Sequence, residues 1–465
     1  MKKLGLFLFL SFVMYANLFA QISVDDSLKK PLKQVLIEVQ ARFHVQIKFD
    51  ESLVKGQVVS FADWRIRPAN IDKTLNNILT PLDISYTLVA GVYRLRKFDY
   101  PRWSVEDGKE QLAYLSSLYS DQASWEKRKT ELRTCMYSAL QLSPLPAKPN
   151  SKPIITQVRQ MDGYTIENVA IETLPGLYVC GSLYHPAKSS GKIPVILSPN
   201  GHFEHGRYNK DQQKLCATFA RMGAMAFSYD LFAWGESLLQ FKDADHNRSI
   251  AMSIQALNSI RILDFLLSQK DADLQRVGIT GASGGGSQTM LLSALDDRLK
   301  VSAPVVMVSS YFYGGSHSES GMPVHLCGGD TDNPEIAAMF APKPQLVVSD
   351  GKDWTEHVPE IEFPYLQRVY SFYGQKDLIS NVHLPTEGHD YGISKRKAVY
   401  AFMAKYLKLD IKAIQGTDGE IDETKSIVEP EKALYVFGDK GERLPAIAIH
   451  GFDEMQKVFD KATGK

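Results

Sequence analysis

The apolar positions change their period along the chain, and these changes divide it. Between residues 21 and 97 they come in short bursts: steps of three and four over Leu32 to Phe43 predict an amphipathic helix, Val45 to Phe49 reads as a strand, and a second helix is expected around Ile71 to Ile78. Ile84 to Val89 and Val92 to Leu95 alternate on either side of Ala90-Gly91, which predicts a hairpin closed by a tight turn. Together these describe a small α+β module. Residues 98–160 read as a helical linker, with helices over Glu110 to Tyr119 and Trp125 to Leu140, closed by the proline-rich SPLPAKPNSKP.

From Thr165 onward strands and helices alternate. Strands are expected at Tyr178 to Tyr184, Pro194 to Leu197, Ala224 to Tyr229, Val277 to Thr280, Val301 to Val308, Gln345 to Ser349 and Val382 to Leu384. Several are continuous apolar runs, as a strand must be when helices cover both faces of a parallel sheet. Ile250, Ile254, Leu257, Ile260, Leu263 and Leu267 recur at three or four, placing one helix face against that sheet. The expectation for residues 161–410 is an α/β fold, a doubly wound and mostly parallel sheet. After Leu409 the polar QGTDGEIDETK leads into a tail, 411–465, to which the sequence assigns no role.

The composition, 44% apolar and 23% charged, is that of a globular chain able to bury a large core. Lysine plus arginine and aspartate plus glutamate are 53 each, which removes any whole-chain attraction to nucleic acid. At the start, Lys2 and Lys3 precede an apolar run from Leu4 to Val13 and small residues end at Ala20, the pattern of a secretory signal peptide over residues 1–20. That run is shorter than the ~20 residues a spanning helix needs, so a secreted or periplasmic protein with no membrane span after cleavage is expected. Cys135, Cys180, Cys216 and Cys327 lack metal-ligand spacing; any of three pairings, or simple burial, is open.

The chemistry concentrates in Val277-Gly-Ile-Thr-Gly281-Ala-Ser283-Gly-Gly285, a strand, a Gly-x-Ser-x-Gly turn and a helix. A serine on so sharp a turn needs glycines at both flanks, and the turn lifts its hydroxyl clear of the sheet while the Gly284 amide meets a developing oxyanion. A serine hydroxyl is a poor nucleophile at neutral pH, so a histidine must take its proton and a carboxylate must hold the histidine's tautomer. His389, in the loop after Val382 to Leu384, has the expected place for the base; His383, inside the strand, is expected to be packed. Asp353, in the loop after the strand Leu346 to Val348, is the preferred acid, with Asp350 close by and Glu319 as the alternative after the preceding strand. The second oxyanion donor is expected from the loop Leu197 to Gly206, through its amides or the His202 side chain, and Asp230 to Ser237 should line the same rim. No cofactor or metal is called for.

Two resemblances follow from these residues. The segments LKQVLIEVQARFHVQIKFD, VVSF, LNNILTPLDISYTL and VYRLR resemble the secretin and TonB short N-terminal domain (STN), which implies that residues 21–97 dock onto a periplasmic protein or a polymer. Residues 160–410 resemble the acetyl xylan esterase and glucuronoyl esterase-like α/β hydrolases, through Asn200-Gly-His202, Asp230 to Gly235, Gly281 to Gly285, Asn333 to Ala338, Phe340-Ala-Pro-Lys-Pro, Asp353-Trp-Thr and Gly388-His389. This implies a serine carboxylic ester hydrolase acting on small esters or esterified oligosaccharides, of the acetyl xylan type. Glucuronoyl esterases of that clan often carry their acid where Glu319 stands, but usually have an arginine where this chain has Gly284. A prolyl-oligopeptidase-like serine peptidase shares the turn, and an inactive hydrolase fold serving as a binding protein is the alternative of another class.

Overall fold

The computed structural model describes residues 29–464 apart from 61, 67–69, 80, 81, 83, 98–102, 249, 317, 318 and 320–322; the expected leader lies outside the described residues. The chain forms two compact units, 1–99 and 100–465.

In the first unit, β1 (Lys29–Pro31) pairs antiparallel with β3 (Val58–Ser60), and α1 (Leu32–Phe43) follows β1 directly. β2 (Gln46–Lys48) runs parallel to β5 (Val92–Lys97), which pairs antiparallel with β4 (Ile84–Val89). The turn joining β4 to β5 has Ala90 at φ 51° and Gly91 at φ 79°, the double left-handed step that matches the twist of a two-residue hairpin. Leu32, Val35, Leu36 and Val39 of α1 pack on Leu75 and Ile78 of α2 (Ile71–Leu79) and on Ile47, Ile84 and Tyr93 of the strands.

The second unit is built on a ten-stranded sheet. Its order is β15 (Ile379–Leu384), β14 (Gln345–Asp350), β13 (Val301–Val305), β12 (Ala272–Ala282), β10 (Ile193–Pro199), β11 (Met225–Tyr229), β9 (Leu177–Pro186), β8 (Tyr164–Leu174) and β6 (Ile154–Ile155), with β7 (Arg159–Gln160) also on β8. From β11 to β15 all neighbours are parallel; β9, β8, β7 and β6 add an antiparallel wing. The central strands are buried on both faces, as their unbroken apolar runs require. This is the α/β-hydrolase sheet, with α5 (Lys210–Arg221), α6 (Ala251–Leu267), α7 (Gly284–Leu295), α8 (Glu362–Ser371) and α9 (Ile393–Leu407) packed around it.

Two segments that read as peripheral belong to this body. α3 (Val105–Ser117) and α4 (Gln122–Ala139), from the expected linker, bury Leu112, Leu115, Trp125, Leu132 and Met136 in the same core as α6 and α7. Arg128 forms a buried two-pronged bond to Glu335 at 2.9 and 2.8 Å, and Cys135 is disulfide-bonded to Cys327. Cys180 and Cys216 are free thiols in the core. The tail folds back too: Leu434 and Ile414 pack in one core cluster, Met455 and Phe459 of its last helix (Phe452–Ala462) in another.

The strand expected over Val301 to Val308 stops at Val305. Val306 turns left-handed at φ 46°, and the Val305 carbonyl makes the last bond of the β12–β13 ladder by accepting the Ser283 amide at 3.1 Å.

Candidate active site

β12 ends at Ala282 and α7 begins at Gly284, so Ser283 is the single residue of the turn between them. Its backbone sits at φ 56°, ψ −124°, a region that costs on the order of 1–3 kcal/mol and persists only where the surroundings enforce it. The enforcement is steric. A Cβ on Gly281 would lie 2.5 Å from the Pro199 carbonyl and one on Gly285 2.2 Å from the same oxygen, so β10 can approach the turn only because both positions are glycine. The Gly284 amide is the first of α7 and has no partner within the helix, so it is free to face negative charge.

His389 and Asp353 meet from the ends of adjacent strands. His389, in the loop after β15, sets its Nδ1 2.7 Å from Asp353 Oδ2, in the loop after β14. The Asp353 side chain is only 2% exposed, and its other oxygen accepts the Thr355 amide and hydroxyl, each at 2.6 Å. These bonds leave the side chain one orientation. With Nδ1 committed, Nε2 is the ring nitrogen left for chemistry. The rings of Trp354 and Phe203 lie beside His389, with centroids at 4.3 and 5.6 Å.

Glu319 is elsewhere. It is buried, accepts the hydroxyls of Ser287 at 2.8 Å and Ser316 at 3.0 Å, and lies 3.5 Å from Nδ1 of His202. His202 in turn lies with Nε2 2.6 Å from Nε2 of His246, whose Nδ1 faces the Phe232 carbonyl at 2.7 Å. The carbonyl can only accept, so a neutral His246 donates there and its Nε2 accepts a hydrogen bond from His202 Nε2–H. Burial, with His202 alongside, pushes the His246 imidazole down to about 4, keeping it neutral. Both ring nitrogens of His202 thus face protein groups. The loop after β10 approaches Ser283 closely: a Cβ on Gly201 would lie 3.0 Å from the Ser283 Cβ.

The remaining candidates are placed as follows. His383 bonds Ser349 across the sheet at 2.9 Å. Asp350 is buried beside Lys395 at 3.3 Å, and burial with the nearby Asp353 pushes its carboxyl up to about 6. Asp230 does not reach the rim; it is buried against Arg207 at 2.8 Å, while Trp234 from the same loop packs edge-on to His202 at 5.5 Å. Cys180, Asp230 and Glu236 form the one group among the described residues whose ligand atoms converge as a metal site would require, but Arg207 pairs with both carboxylates and closes the group as an ion network.

Two contributors carried little signal in the sequence. His246 stands in an unremarkable polar loop. Lys395 shares a helix face with Val399, Phe402 and Tyr406, and a lysine on the apolar stripe of a helix was the available hint.

The chain is similar to several known proteins. The solved structure of the methylesterase BT1017 is similar over 94% of this chain and 98% of its own, at 48% identity and a TM-score of 0.74. A Bacillus subtilis (strain 168) protein named "Putative hydrolase YtaP" is 24% identical over 257 residues, 48% of this chain and 81% of that one. An acetyl xylan esterase from Paenibacillus sp. R4 is 18% identical over 64% of this chain and 99% of its own, at a TM-score of 0.41. No family model matches the chain.

Proposed function

Since the chain belongs to the family of the methylesterase BT1017, hydrolases built on the α/β-hydrolase fold, we propose that it is a serine carboxylic ester hydrolase with Ser283 as nucleophile, His389 as base and acid, and Asp353 as the carboxylate that holds His389. The observation that carries this is the 2.7 Å bond from Asp353 to His389 Nδ1, made from the two strand ends where an α/β hydrolase presents these groups.

In the proposed cycle His389 Nε2 takes the Ser283 proton as Oγ attacks the ester carbonyl, and the oxyanion is met by the Gly284 amide and a backbone amide of the loop after β10. The C–O bond breaks, His389 returns its proton to the departing alkoxide, and the alcohol leaves. Water then gives a proton to His389 and attacks the acyl-enzyme, and His389 passes that proton to Ser283 Oγ as the acid leaves. Ester and water become acid and alcohol with nothing left over.

The acetyl xylan type was the expectation from sequence; the likeness to a methylesterase moves the substrate class to methyl esters of carbohydrate acids, with methanol as the alcohol. A glucuronoyl esterase of the usual kind is disfavoured, because a Cβ at Gly284 would lie 2.6 Å from the His202 ring and leaves no room for arginine. Export to the periplasm or beyond belongs to the same reading, supported by the leader pattern and by the Cys135–Cys327 bridge, which suits an oxidising compartment. Residues 21–97 would then dock the enzyme to a periplasmic protein or polymer.

The test is labelling by a fluorophosphonate, expected in the wild type and lost in Ser283→Ala, together with methanol release from a methyl-esterified uronic-acid oligosaccharide. Acetate release from acetylated xylan without methanol would return the substrate to the acetyl class. Labelling that survives Ser283→Ala, or none in the wild type, would end the serine-esterase reading.

A further inference from the structure

We infer that the cavity of about 520 Å³ beside Trp234 is a subsite for a neutral sugar ring of the substrate, separate from the reacting centre. This rests on the esterase reading above.

The volume lies in the ordinary range for a small-molecule site. Three segments far apart in sequence wall it: Tyr208 from the loop after β10, Trp234, Leu238 and Asp243 from the loop after β11, and Glu431 and Tyr435 from the C-terminal segment. The C-terminal wall is held firmly. Arg207 is fully buried, donating to Asp230 at 2.8 Å, to Glu236 at 2.6 Å and to the Leu434 carbonyl at 2.9 Å. Glu236 then accepts the amides of Val436 at 2.9 Å and Phe437 at 2.7 Å. A paired buried charge of this kind costs more than a well-packed apolar patch would, so its gain is in fixing where the tail lies.

The lining selects the ligand. Tyr208, Trp234 and Tyr435 offer ring faces and edges, against which the C–H faces of a pyranose pack. Asp243 and Glu431 supply carboxylate acceptors for hydroxyl donors. Among the described lining residues there is no lysine or arginine, and the one histidine, His205, already lies 3.4 Å from Glu431, so a free carboxylate, phosphate or sulfate would enter against the like charge of Asp243, Glu431 and Asp439. At the mouth Leu238 is 49% exposed although apolar, as fits a surface that a ligand covers.

The cavity also communicates with the nucleophile. Trp234 forms part of its wall and packs on His202 at 5.5 Å, and His202 fills the space beside Gly284. A sugar held on the far side of Trp234 would be a remote part of the substrate, whose binding energy can position the ester at Ser283.

The experiment uses the full chain on a glycan array carrying neutral and uronic-acid oligosaccharides, with p-nitrophenyl acetate hydrolysis measured on the same preparations. Wild type and Ser283→Ala should bind neutral members and not fully de-esterified acidic ones. Tyr435→Ala should weaken that binding about tenfold, roughly the loss of one ring contact, and Leu238→Arg, at an exposed position that tolerates change, should do the same by occupying the mouth. Both variants should hydrolyse p-nitrophenyl acetate at the wild-type rate. A blank array, preference for free acids, or binding that Leu238→Arg leaves intact would overturn the subsite. If the array result holds while p-nitrophenyl acetate is untouched by the wild type, the esterase reading fails and the subsite stands.

Discussion

Lys395 Nζ donates to the Gly388 carbonyl at 2.7 Å and reaches Asp390 Oδ1 at the same distance, so one buried ammonium grips the residues on both sides of His389. Asp350 lies 3.3 Å from the same nitrogen, which links this grip to the strand whose loop carries Asp353. Lys395 touches no reacting atom; it is a positioning residue. Lys395→Met should lower kcat on p-nitrophenyl acetate by about 10- to 100-fold, the scale of a small displacement of a catalytic group, with KM changed by about twofold or less. An unchanged kcat would reduce the lysine to a purely structural role.

Two acidic residues compete for the role of histidine partner, and their surroundings set the order. Asp353→Asn should cost about 10⁴ in kcat, because the amide cannot hold the imidazole in the tautomer that accepts the serine proton. Glu319→Gln, which alters the neighbour of His202 and leaves the Asp353 bond in place, should cost about tenfold or less. Steady-state kinetics of the two variants decide this, and the reverse order would transfer the role to Glu319.

The Cys135–Cys327 bridge spans 192 residues of chain and ties α4 to the segment after β13. Cys135→Ser should destabilise the protein by about 2–4 kcal/mol, read as a lower midpoint in chemical denaturation, while activity at low temperature is retained. A midpoint equal to the wild type's would show that packing of α4 alone suffices.

His325 gives an acid-stability prediction. Its Nε2 bonds Asn333 Oδ1 at 3.0 Å while Nδ1 is buried without a partner among the described residues, and burial pushes the imidazole down to about 4. Between there and its usual value near 6.5 the unfolded chain binds a proton that the native state refuses, so this residue's contribution falls as the pH drops through that window, by up to about 3 kcal/mol. Burial raises Asp230 to about 7, which acts in the opposite sense and cancels when the wild type is compared with His325→Gln. The stability of the wild type relative to that variant should therefore decline from pH 6.5 to pH 4. A difference independent of pH would remove the argument.

Local signals carried much of this protein. The helix over Leu32 to Phe43 has the same bounds in the structure, because apolar spacing and the left-handed end at His44 are properties of the segment itself. The hairpin turn at Ala90-Gly91 and the turn at Ser283 with its two glycines were legible for the same reason, since a forced backbone needs particular residues in particular places. The order of strand, serine, acid and histidine also put Asp353 and His389 in loops after adjacent strands, where the two side chains meet. What the sequence could not supply was distance between segments. That Glu319 faces His202 and Asp353 faces His389, that Cys135 pairs with Cys327, and that the tail walls a cavity beside Trp234 all depend on how the parallel sheet brings remote loops to one edge. Residues hundreds of positions apart leave no periodic trace of one another, so only the folded chain decides which of several chemically equivalent partners is within 3 Å.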